Sequence, residues 1–236
     1  MKIIVSPAKT QQNEKCLDLP FNEGLFKGKS QSLLHLLHKF DKDEIGRVMT
    51  IKGDLLEETY KTIQGYDDQV STHGILLYTG LVFKGLEDLT YSEGELAYLD
   101  QHVRILSAFY GVVHPFDEVK PYRLDMKMKV MEGGLYSYWK TDLTDHFKTD
   151  TIINLASSEF SKMIKQPMVT IEFKEEKEKG VYKMVGTYAK QARGKMLSWM
   201  IRNNIQTIEE IKKFNLMGYT FNEADSTEKT LLFTRK

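Results

Sequence analysis

Cysteine, proline and net charge are all scarce in this sequence. A single thiol, Cys16, stands among 236 residues. One cysteine excludes an internal disulfide framework, a zinc ribbon and a C-x-x-C redox pair. Only five prolines occur (Pro7, Pro20, Pro115, Pro121, Pro167), each where an element is expected to end. Lys plus Arg (33) equals Asp plus Glu (33), a formal charge of +0. An evenly positive molecule is excluded, so any surface for a polyanion must be local. No apolar run approaches the ~18 residues of a membrane span. The opening Met1-Lys2-Ile3-Ile4-Val5 halts at Ser6-Pro7 and lacks a signal-peptide core. It reads as a buried strand, and the chain is expected in the cytoplasm, away from membranes. There is no G-x-x-x-x-G-K-[ST], G-x-G-x-x-G or G-x-S-x-G, and the six histidines form no H-E-x-x-H. Neither a metal site nor a cofactor is expected.

What is present describes one globular domain over 1–236. Hydrophobic residues make up 41% and charged residues 28%, enough apolar mass for a real core. Helices and strands interleave, which predicts a mixed α/β (α+β) fold. Strands are expected at 2–5, 75–78, 151–155 and 230–234. Alternation predicts a hairpin, with 169–173 and 182–184 flanking a charged turn at 174–180. Helical spacing marks 30–40, the stretch holding Leu55, Leu56, Tyr60 and Ile63, and 190–203. Ser92 and Glu95 form a capping-box pattern. The helix they open is expected to run through Leu99, Val103, Leu106 and Phe109 until Gly111 stops it.

Three places share an apolar strand followed by a short polar run: 3–10, 152–159 and 185–194. Open sheets bind ligands beyond the carboxyl ends of their strands. If these ends lie side by side, Lys9, Ser157, Lys190 and Arg193 line one cleft, with Ser6, Thr10, Asn154 and Glu159 beside them. Lys, Arg and backbone N–H groups at a helix start suit phosphate. Each has a plainer reading. Ser157 is also a typical N-cap. Lys190, Arg193, Lys195 and Arg202 are also a typical solvated helix face. Against that, no Asp or Glu occurs from 181 to 208. A second region, 110–126, joins Gly111, His114, Pro115, Asp117, Lys120, Pro121 and Arg123. It resembles a helix–hairpin–helix phosphate turn only weakly, and a rigid loop closing the core explains it better. Asp117, Asp125 and Glu159 are unspecific general acid or base candidates. Cys16 sits in a polar stretch with no nearby His expected to make it a nucleophile.

Several blocks together resemble the YaaA family of bacterial peroxide stress proteins. They are Met1-Lys2-Ile3-Ile4-Val5-Ser6-Pro7-Ala8-Lys9-Thr10, Tyr78-Thr79-Gly80, Leu106-Ser107-Ala108-Phe109-Tyr110-Gly111-Val112, Pro121-Tyr122-Arg123-Leu124-Asp125-Met126, Asn154-Leu155-Ala156-Ser157-Ser158-Glu159-Phe160, Tyr188-Ala189-Lys190-Gln191-Ala192-Arg193-Gly194 and Gly218-Tyr219. The resemblance implies a cytoplasmic single domain with its own fold, a mixed sheet surrounded by helices. It implies survival of hydrogen peroxide by limiting oxidative damage, through lowered free iron. It also implies DNA binding through a positive cleft and a helix–hairpin–helix-like element. Carried over by position, the basic residues are Lys9, Arg123, Lys190 and Arg193, and the hairpin falls at Gly111 to Pro115. His114 stands where the family commonly has Arg. No catalytic set transfers. The expectation is a stress-response protein that binds DNA by structure rather than by sequence. The alternative is an enzyme acting on a phosphorylated or nucleotide-like small molecule in the same cleft.

Overall fold

The structure, a computed structural model, describes residues 1–86 and 89–236. Its strands are β1 (Lys2–Val5), β2 (Thr72–His73), β3 (Val103–Ser107), β4 (Gly111–Val113), β5 (Glu118–Val119), β6 (Ile152–Asn154), β7 (Met168–Glu178), β8 (Val181–Lys183), β9 (Thr220–Phe221) and β10 (Thr230–Arg235). Its α-helices are α1 (Lys27–His38), α2 (Lys42–Met49), α3 (Asp54–Gln64), α4 (Gly74–Leu77), α5 (Leu81–Lys84), α6 (Glu93–His102), α7 (Gly134–His146), α8 (Ser158–Ser161), α9 (Gly186–Arg202) and α10 (Ile208–Ile211).

Eight strands form a mixed sheet in the order β4-β3-β1-β6-β7-β10-β9, with β8 paired to β7. The run β3-β1-β6-β7-β10 is parallel, and antiparallel β4 and β9 close its two edges. Strand β1 sits inside the sheet because Ile3, Ile4 and Val5 are apolar and fully buried, as a strand covered on both faces requires. Ile3 registers with Val103 on one side and Ile153 on the other. The chain leaves β1 toward β3 on one flank and later returns as β6 on the other. That reversal opens a crevice at the carboxyl end of β1. Among the described residues, no helix is long and apolar enough to cross a membrane.

Several expectations needed correction. The helix opened by Ser92 and Glu95 ends at His102, and 103–107 is a core strand. Both faces of this strand are buried, so Val103, Ile105 and Leu106 do not alternate with exposed polar residues and also satisfy helical spacing. The segment 75–78 is not a strand: Gly74–Leu77 is one helical turn, and Tyr78 only bridges Gln11. Gly74 lets that turn press on β4, since a Cβ there would lie 2.4 Å from Val113 Cγ1 and 2.5 Å from the His114 carbonyl oxygen. The charged stretch 174–180 belongs largely to β7, and the reversal is confined to Lys179 and Gly180. The segment 185–194 is no strand end, because α9 begins at Gly186.

Candidate functional site

The crevice beyond β1 is a cleft of ≈ 500 Å³. Its floor is built by two adjacent strand ends. Leu155 N–H continues the β1–β6 ladder by donating to the Ile4 carbonyl (2.9 Å). Ser157 N–H then donates to Ser6 Oγ (2.8 Å), and the Ser6 hydroxyl donates to Ser157 Oγ (3.1 Å). Ser157 holds the N-cap position of α8, yet its side chain makes no capping bond. Its hydroxyl instead joins the two strand ends. Asn154 stiffens the turn by accepting from Ala156 N–H (2.8 Å).

Two more segments close the walls. Tyr122 N–H donates to Gln11 Oε1 (2.8 Å), holding 121–126 against the loop after β1. The Tyr122 hydroxyl is buried and accepts from Ser107 Oγ (2.8 Å). Opposite them, α5 and α9 cross at unusually short range. A Cβ on Gly194 would lie 2.1 Å from the Val82 carbonyl oxygen, and one on Gly85 would lie 2.4 Å from the Gly194 carbonyl carbon. Only paired glycines permit that approach. It places Lys190 and Arg193 of α9 beside Val82 and Phe83.

The cleft thus gathers Ser6, Lys9, Arg123, Ser157, Lys190 and Arg193. Among the described lining residues, four cations face two carboxylates, Asp125 and Glu159, a surplus of two positive charges. Lys9 is not free: its ammonium pairs with Asp125 at 3.0 Å, with 69% of its side chain exposed. Such a pair contributes only ~0–1 kcal/mol and can open to a competing anion. The two arginines differ from it. Among the described residues, the Nε atoms of Arg123 and Arg193 are buried and have no hydrogen-bond partner. Burial holds the Arg193 guanidinium below its ordinary pKa, with Glu172 pulling the other way. A buried donor without an acceptor is costly, and both arginines line the cleft, where a guanidinium suits an anion.

A sequence profile of the peroxide stress protein YaaA matches residues 1–225. A UPF0246 protein of Fusobacterium nucleatum is 44% identical over 247 residues, covering 100% of this chain and 99% of that protein. Those of Francisella tularensis subsp. novicida and Finegoldia magna are 36% and 34% identical, each covering 100% of this chain and at least 98% of their own. The chain belongs to the YaaA family.

Within this YaaA-family chain, one expected site residue lies elsewhere. Gly111 is buried in β4 with φ 75, and a Cβ there would meet the Trp139 ring at 2.7 Å. No phosphate can reach it. Residues 103–113 pair as an antiparallel β3–β4 hairpin rather than a helix–hairpin–helix turn. His114 next to it is neutral, because burial lowers its pKa to about 3. Cys16 does have a histidine beside it, contrary to expectation: its Sγ lies 3.2 Å from Nδ1 of His73, which is 57 residues away in sequence. Nδ1 also accepts from Leu17 N–H, which fixes it as an acceptor. Sequence reasoning missed Gln11 and Tyr122 as the residues that hold Arg123 in place. The blocks Tyr78-Thr79-Gly80 and Pro121 to Met126 carried that signal. Among the described residues, no cluster of three or more metal-ligating side chains exists.

Proposed function

We propose that this protein serves the peroxide stress response in the cytoplasm by binding DNA through the cleft beyond β1, so limiting oxidative damage. The observation that supports this reading most is the pair of buried, unpartnered arginine Nε atoms in a cleft with surplus positive charge. Arg123 and Arg193 take a backbone phosphate, Lys190 adds charge at the rim, and Lys9 exchanges Asp125 for the anion. Contacts of this kind go to phosphate and sugar, so selectivity is for DNA structure rather than sequence.

Fluorescence anisotropy of a labelled duplex, titrated from about 50 to about 200 mM salt, tests the proposal. Affinity is expected to fall with salt, and the Arg123→Ala, Arg193→Ala double variant to flatten the log–log slope by roughly one, for the one phosphate the pair holds. Affinity indifferent to salt or to the double variant would overturn it. The size of the cleft favours a second reading, a nucleotide-like small molecule as ligand or substrate. About 500 Å³ walled by Phe83, Leu124 and Phe160 suits one base and one phosphate. A thermal shift by mononucleotides without any duplex binding would select it.

A further inference from the structure

A second cavity, of ≈ 390 Å³, lies between the start of α1 and the β4 edge of the sheet. Phe21, Phe26, Leu34, Phe109 and Val112 give it apolar walls, and the Tyr66 and Tyr110 hydroxyls, 2.6 Å apart, stand at one side. Two lysines line it, and both are already engaged. Lys27 pairs with Glu23 (2.8 Å), and Lys120 donates to the Asp67 carbonyl oxygen (2.7 Å). The carboxylates are less satisfied. Asp117 lines the cavity, is only 4% exposed, and receives one hydrogen bond among the described residues, from His114 N–H to Oδ2 (2.8 Å). Among the described residues its Oδ1 accepts no hydrogen bond, and the residue lines the cavity. Burial raises the Asp117 pKa to about 7, outweighing the His114 N–H bond and the charge of Arg104 that pull it down.

We infer that this cavity is a binding site for a small aromatic amine. The ammonium donates to Asp117 Oδ1 and supplies the missing partner, while the ring lies among Phe21, Phe26 and Phe109. The complementarity is opposite to that of the cleft beyond β1. Here Glu23, Asp67, Asp117 and Glu118 outnumber the two lysines, so an anion of the same shape is repelled.

The test compares 2-phenylethylamine with 3-phenylpropanoate, a carboxylate of similar size, by saturation-transfer NMR and calorimetry on the intact chain. The amine is expected to bind at least about tenfold more tightly than the acid. Asp117→Asn is expected to erase that preference. Phe21→Ala, at the exposed rim, is expected to weaken the amine in a chain whose fold is undisturbed, which keeps the test decisive if the Asp117 variant does not fold. Equal binding of amine and acid, binding of neither, or an amine affinity unchanged in both variants would overturn the inference.

Discussion

Gly194→Ala is the sharpest perturbation of the architecture that builds the cleft. In an exposed helix interior this change stabilises by about 1 kcal/mol, because alanine restricts the unfolded chain and favours the helix. Here the added Cβ would sit 2.1 Å from the Val82 carbonyl oxygen and 2.9 Å from its carbon. Restoring a 3.4 Å contact requires α5 and α9 to part by about 1.3 Å. The obstacle is backbone on both sides, so no rotamer change relieves it. Overpacking of this kind costs ~1–3 kcal/mol, and the upper end applies. After the helix gain is subtracted, a net loss of about 2 kcal/mol remains, or ~4–8 °C in Tm for a chain of this size. Thermal and urea unfolding read it. Gly94→Ala in α6, where no atom lies within 4 Å of the added carbon, is the control and is expected to be neutral or stabilising. A Gly194→Ala protein as stable as the parent would refute the close helix crossing, and with it the placement of Arg193.

The strand-end clip gives an asymmetric pair: Ser6→Ala leaves the Ser157 N–H without its acceptor and is expected to cost ~1–3 kcal/mol, whereas Ser157→Ala leaves that bond intact and is expected to cost less than ~1 kcal/mol, as read by chemical denaturation. His114, whose pKa burial lowers from 6.5 to about 3, is neutral in the fold while the unfolded chain takes up a proton. Its contribution to stability is therefore present above pH 6.5 and is lost as the pH falls toward 3. Replacement of His114 by Leu should flatten the fall in stability across that window, and an unchanged pH profile would contradict the assignment.

Most of the sheet was readable because its strands carry their own signature. Ile3, Ile4 and Val5 form an unbroken β-branched run that stops at Ser6-Pro7, and Ile152 and Ile153 repeat the pattern before Asn154. Those two runs left open whether their ends lie side by side; their parallel pairing in the sheet brings the two carboxyl ends together. The errors arose where local pattern was ambiguous and packing decided. Residues 103–107 fit a helix until the sheet claims them, and 75–78 look extended until Gly74 lets them coil against β4. Helix α2, with a full capping box between Asp41 and Glu44, left a readable signal that was overlooked. The site was legible in its charges but not in its supports. Lys9, Lys190 and Arg193 stand in polar runs after apolar segments. The pairing of Lys9 with Asp125, the two glycines under α9 and the approach of His73 to Cys16 all join residues dozens of positions apart, and no local pattern encodes them.

The central proposal is that Arg123 and Arg193 share one bound phosphate. The most direct measurement is the ¹⁵N–¹H spectrum of the arginine Nε groups during titration with DNA. Both resonances are expected to move together and saturate at one concentration, with Nε–H exchange slowed as each gains an acceptor. DNA binding that leaves both resonances in place would contradict the account.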